Sequence, residues 1–222
     1  MAKSKVQFID SIMQEVTRFS MTDDNAFAIA QEFINDKIDG YRATILTSYA
    51  NQKQGMDSLY QIVNCITPEC LGVSCKVGDI TLDASSEIWV ADIPELLDIQ
   101  GAIKYFGAYD LSKAFTKTSL TAMARSENRW GRHSNLYARV GNKFYFKDND
   151  ATIKFTLIGI FSNPSDVCGF KDNDPYPLPK ALEQQLELLV KKDLFTMFSI
   201  PLDVLNDAQD VIQQVPKQQQ DA

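Results

Sequence analysis

Val6, Ile9, Ile12, Met13, Val16 and Phe19 recur every three or four positions, so Lys5 to Phe19 predicts an amphipathic helix with one apolar face. Ser20-Met21-Thr22-Asp23-Asp24 interrupts that rhythm. Thr22 or Asp23 suits the cap of a second helix, because a short side-chain oxygen accepts from the unpaired N–H groups of a first turn. That helix carries Phe27, Ala30, Phe33, Ile34, Ile38, Tyr41, Ile45 and Leu46 on a stripe and runs to about Ala50, with Gly40 as its weak point. Two such segments around a short polar loop predict an αα-hairpin.

From Ser58 the period shortens. Leu59-Tyr60-Gln61-Ile62-Val63, Asp79-Ile80-Thr81-Leu82 and Glu87-Ile88-Trp89-Val90 are rich in branched and aromatic residues and separated by Gly, Pro, Asp and Ser, which predicts strands. The clearest element is a hairpin. Leu136 to Val140 alternates, Gly141-Asn142 suits a primed two-residue turn, and Lys143 to Lys147 alternates back. Thr152 to Phe161 predicts a further strand, expected beside that hairpin. Ser162-Asn163-Pro164 ends the sheet. Pro179 then sits near the first turn of a third helix, striped by Leu182, Leu186, Leu189, Val190 and Leu194 and broken at Ser199-Ile200-Pro201. The run after Val215 has nothing to bury and is expected to be disordered when alone.

The fold class expected is therefore α+β. It comprises an N-terminal helical hairpin (1–57), a central antiparallel β region (58–161), a C-terminal helical segment (162–212) and a flexible tail (213–222), all within one structural unit. Hydrophobic residues make up 45% of the 222 and charged residues 23%, which excludes global disorder. The 22 Lys and Arg against 29 Asp and Glu leave a net charge of -7, the wrong sign for a surface that coats duplex DNA. No apolar run approaches the ~20 residues of a membrane span. Asp10 and Gln14 break any apolar signal-peptide core, so an unsecreted chain is expected.

The reactive side chains narrow the chemistry. Cys65, Cys70 and Cys75 are spaced C-x4-C-x4-C, without the short knuckle from which two thiolates converge on zinc, and Cys168 lies far away. Reduced, strand-borne cysteines acting as small hydrophobes are expected rather than a metal site or a disulfide framework. His133 is the single histidine, and the chain has no G-x-S-x-G, H-E-x-x-H, G-x-x-x-x-G-K-[ST] or G-x-G-x-x-G. Asp148-Asn149-Asp150 and Asp172-Asn173-Asp174 lack the following Gly of a calcium loop and predict turns. No cofactor, metal or enzymatic activity is expected.

Charge is unevenly placed. Lys113 to Lys147 holds eight Lys or Arg (Lys113, Lys117, Arg125, Arg129, Arg132, Arg139, Lys143 and Lys147) and one acid, Glu127, whereas Ser165 to Ala222 holds ten acids and five bases. Arg125, Arg129 and Arg132 surround Trp130 in a loop-like stretch. That suits a contact surface for an acidic neighbour or for DNA, and equally a solvated loop. Opposite patches on one chain also permit head-to-tail pairing of copies in a ring.

Ile158-Gly159-Ile160-Phe161-Ser162-Asn163-Pro164, Tyr176-Pro177-Leu178-Pro179, the Leu-rich helix after it and Ile200-Pro201-Leu202-Asp203-Val204-Leu205-Asn206-Asp207 together resemble the ring, or head-to-tail connector (adaptor), proteins of crAss-like and related short-tailed bacteriophages. The resemblance implies a structural virion protein of the tail connector, assembled in the bacterial host cytoplasm. It implies a cyclic homo-oligomer of about twelve copies, bound to the portal protein and to other tail ring proteins. DNA would pass through the lumen without specific binding, and no membrane is involved. The helical pair would line subunit contacts, and the β region would face the tail. Arg125, Arg129, Trp130 and Arg132 are the first choice for a partner-facing loop, since Arg and Trp are enriched at hot spots. Gln213, Gln214 and Gln218 lie in a tail able to follow a groove on assembly. Two other classes stay open. One is a partner- or nucleic-acid-binding module working through the basic middle; the other is a small enzyme with a carboxylate site, to be known by a deep pocket and a perturbed carboxyl.

Overall fold

The computed structural model describes residues 2–19, 24–51, 56–125, 135–147 and 154–198. Its helices are α1 (Lys5–Phe19), α2 (Asp24–Asn51), the short α3 (Leu120–Arg125) and α4 (Lys180–Met197). The strands are β1 (Gln61–Ile66), β2 (Glu69–Val77), β3 (Ile80–Asp92), β4 (Ile103–Ala108), β5 (Thr116–Thr118), β6 (Leu136–Val140), β7 (Lys143–Lys147) and β8 (Phe155–Gly159). The class is α+β.

α1, α2 and α4 form a helical layer. Phe8, Ile12 and Val16 of α1 meet Ala30, Ile34, Ile38 and Leu46 of α2 and Leu186, Val190 and Leu194 of α4. The predicted stripes hold, but rotated. Val6 and Phe27 are exposed while Phe8 is buried, because a wide apolar stripe does not say which of its flanks a third helix will cover.

The strands make two sheets, β1-β8-β4 and β2-β3-β7-β6-β5. Their facing sides enclose an aromatic core centred on Phe106, whose ring meets those of Phe115, Tyr137, Phe144, Phe146 and Phe155 at centroid distances of 4.8 to 6.0 Å. Most of these pairs are edge-on or tilted, the arrangement in which the positive rim of one ring meets the negative face of another. One flank of the sandwich is stitched. Ala108 N–H donates to Lys113 O at 2.8 Å and Phe115 N–H donates to Phe106 O at 2.8 Å, so the chain after β4 turns back along it and continues into β5. On the other flank β1 and β2 each end their sheet.

The β6–β7 hairpin forms as expected. Gly141 has φ 59°, the left-handed value that the first turn position of a II′ hairpin needs. Other strand readings are corrected. Asp57–Leu59 is a 3-10 turn, and β1 starts only at Gln61. Ile80–Leu82 and Glu87–Val90 belong to one strand of 13 residues, and Asp79 lies in the turn before it. The strand near Thr152–Phe161 is β8, and it pairs with β1 and β4 rather than with the hairpin. Its buried Phe155 and Leu157 face the sandwich core from the opposite sheet. The cysteine reading is corrected as well. Cys65 on β1 and Cys168 form a disulfide, with Cα atoms 6.3 Å apart across 103 residues of sequence. Only the fold brings these two together; Cys70 and Cys75 lie on β2, outside the bridge.

Strand direction sets the polarity of the molecule. β8 runs from Phe155 to Gly159 and then delivers Ile160 into the helical core, which Leu59 before β1 and Leu97 before β4 also enter. The helical layer therefore caps one end of the sandwich. The start of β6 and the end of β7, paired at Tyr137 and Phe146, lie at the other end.

Candidate assembly surfaces

A polar joint sits where the helical layer meets the sandwich. Arg42, in the middle of the α2 stripe, is 0% exposed. Its Nε–H donates to Pro177 O at 2.9 Å, and Nη1 donates to Phe161 O at 2.7 Å and Ser162 O at 3.3 Å. The guanidinium lies 5.6 Å from the Tyr176 ring centroid. The Tyr176 hydroxyl donates to Asp39, whose other oxygen accepts from Lys5 Nζ at 2.8 Å. Lys5 is itself buried. One arginine fork thus holds the end of β8 and the Tyr176–Pro177 strap to α2, and Asp39 links that strap to α1. Burial lowers the Arg42 pKa, opposed by Tyr176 and Asp39. Burial foremost, then the Asp39 charge, raises that of Tyr176. A guanidinium stays charged through such a shift, so the joint contains a buried cation held by backbone carbonyls, with Nη2 left without a hydrogen bond. The sequence pattern missed it, because position 42 reads as a gap in an apolar stripe.

At the capped end, a groove of about 440 Å³ opens between α1 and α2. Val6, Ile9 and Ala28 give it apolar walls, and Asp10, Glu32 and Asp172 give it acidic ones. Glu15 of α1 meets Lys191 of α4 at 2.7 Å and ties the two helices, and Glu187 on α4 itself stands 3.7 Å from the same ammonium. The Asp172–Asp174 run is the expected turn: Asp174 N–H donates to Lys171 O at 2.8 Å, and Lys171 N–H donates back to Asp174 Oδ2 at 2.8 Å.

At the opposite end, β2 and β3 form an arm. β3 pairs with β7 only from Ile88 to Asp92, whereas Ile80 to Asp83 pair with β2 alone. On β2 the arm runs five residues from Gly72, opposite Ile88, to Val77, so at about 3.3 Å each it extends at most roughly 17 Å past the end of β7; β3 takes up its extra residues in a bulge between Asp83 and Ile88. Leu82 and Ile88 share a small core with Met123 of α3 and Ala138 of β6, so α3 braces the arm. Val73 on β2 is 56% exposed, and Ile62 on β1 is 57% exposed.

Among the expected site residues, Arg125 is exposed at the end of α3, beside this arm. Arg129, Trp130, Arg132, Gln213, Gln214 and Gln218 lie outside the described residues, as do Asp148, Asn149 and Asp150. Asp57 and Asp110 are shifted carboxyls at the surface. Lys104 and Ser112, respectively, hold them below the usual range, the direction opposite to that of a proton donor.

The chain matches the crAss family described as phage tail ring protein 2 over residues 7–221. It belongs to that family. No curated protein matches it. The ring protein is thus a structural component of a phage tail, and a ring requires that it meet copies of itself and neighbouring tail components. No helix among the described residues is long and apolar enough to cross a membrane.

Proposed function

We propose that this ring protein is a head-to-tail connector: about twelve copies closing a ring between portal and tail, with DNA passing through the lumen. The observation that carries the proposal is the division of one subunit into two unlike ends, in a chain matched along nearly all its length to a ring family. A connector needs one surface for its own copies and another for the next component. The helical layer supplies the first, with its acidic-walled groove. The braced arm and Arg125, continued in sequence by Arg129, Trp130 and Arg132, supply the second. The joint at Arg42 keeps the two ends in fixed relation, so that a load taken at one reaches the other. The acidic net charge suits a conduit past which DNA slides without sticking. The residues after Gln213 reach along the portal in the assembled particle.

The test is mass by light scattering, for the ring protein alone and then mixed with portal protein. A stoichiometric, ring-sized complex with the portal is expected. A chain that ignores the portal at all ratios removes it from the connector position.

A further inference from the structure

We infer that the α1–α2 groove is the socket for the outer face of α4 from a second copy. This rests on the ring reading and deepens it by naming the contact. Three observations converge. First, the groove has apolar walls at Val6, Ile9 and Ala28 and acidic ones at Asp10, Glu32 and Asp172, with no basic residue lining it. Second, α4 presents a ridge of opposite character. Ala181, Gln185, Leu188 and Lys192 fall at helical spacing on its exposed side, carrying a leucine 46% exposed and a cation but no acid. Third, socket and ridge lie on opposite sides of the helical layer. α1 turns Glu15 toward Lys191 of α4, and at 100° per residue Asp10 lies about 140° round from Glu15, so the groove faces away from α4.

Two unlike patches on opposite sides make a heterologous contact, the kind that repeats from copy to copy and closes into a ring when the rotation permits. The occupant is therefore another copy of this chain rather than its own α4. Leu188 would enter between Val6, Ile9 and Ala28, and Lys192 would stand against Asp10 and Glu32. This is the helix-in-groove mode, with an apolar anchor and a charge that sets the register.

The test uses the full chain and native mass spectrometry across a concentration series, with circular dichroism as the check on folding. Leu188→Asp is expected to weaken self-association at least tenfold, since it puts a charge at the apolar anchor. Lys192→Glu is expected to weaken it about fivefold, more in dilute salt, and Glu32→Lys combined with Lys192→Glu is expected to restore it. Oligomers that Leu188→Asp and Lys192→Glu both leave unchanged would overturn the contact and leave the ring reading standing. Loss that responds instead to reversal of Arg125 would move the contact to the other end of the subunit and overturn the socket. A wild-type chain with no self-association at any attainable concentration would also overturn it. The copy number seen by electron microscopy in tail particles then decides the ring reading separately.

Discussion

Replacing Arg42 with methionine tests whether the polar joint holds the two halves of the subunit together. Methionine is of similar length and apolar, so the main change is the loss of the donors to Phe161 O and Pro177 O, at 2.7 and 2.9 Å. Two buried carbonyls left without partners cost about 1–3 kcal/mol each. Relief of the guanidinium's own desolvation offsets part of that, so a net loss of about 3 kcal/mol is expected. Unfolding entropy near 2.1 cal/mol/K per residue, over 222 residues, amounts to about 0.47 kcal/mol/K, and the melting temperature should fall about 6 °C. Arg42→Lys keeps the charge but cannot reach both carbonyls with one ammonium, so it should fall between the two. The assay is thermal unfolding followed by circular dichroism at 222 nm and by tryptophan fluorescence from Trp89 and Trp130. Trp89 packs against the sandwich core, and so helix loss and sandwich loss should separate in the methionine variant. A methionine variant that melts within 1 °C of the wild type, in a single transition, would refute the reasoning.

Four further outcomes follow from the structure. Cys168→Ser opens a loop of 103 residues, for which chain entropy predicts up to about 4.7 kcal/mol, or a fall of about 10 °C in melting temperature; alkylation of both sulfurs in the unreduced native protein would contradict the bridge. Gly107→Ala should prevent the native fold from accumulating, because its Cβ would collide with Lys113 O and the Tyr105 hydroxyl; a soluble variant with wild-type melting would show that the chain returning along β4 at Lys113 can move. Tyr41 is raised to about 12 by its hydrogen bond to Asp193, Tyr137 to about 12 by burial, and Tyr176 also upward by burial, so their protonated forms favour the folded state. That stability is complete below pH 10 and is lost as pH rises from 10 through 12; unfolding with tyrosinate absorbance rising at 295 nm checks the sign, and unchanged stability across that window contradicts it. Reversing Arg125, Arg129 and Arg132 to Glu should block tail assembly in a complementation assay while leaving the subunit folded, whereas unaffected assembly removes the loop from the partner surface.

What was legible in the sequence was local. Period and punctuation place α1, α2, α4 and the β6–β7 hairpin, because each is specified by its own apolar spacing and by a turn such as Gly141-Asn142. β2 was not marked out as a separate strand although Leu71, Val73, Cys75 and Val77 alternate with Gly72, Ser74 and Lys76; Gly72 interrupts the run, none of its residues is buried, and its place in the sheet comes from pairing with β3. The partners of β8 depend on the link 148–153 carrying the chain to the other sheet, which no local pattern encodes. The disulfide and Arg42 are invisible for the same reason, since both bring together positions more than 100 residues apart. The partner-facing reading of Arg125 came from charge counting. Its place beside the arm comes from the parallel pairing of β5 with β6 and the short helix between them.

The Cys65–Cys168 bridge has a mechanical consequence. Tension applied to the chain ends travels from α2 through the two sulfurs into α4 and bypasses the covalent loop that holds nearly the whole sandwich. Stretched from its termini, the oxidised subunit would pay out roughly 350 Å less chain than the reduced one, at about 3.4 Å per residue over 103 residues. A tail part so wired can lose its helical layer under strain and spring back, with the strands between the two sulfurs kept out of the line of pull.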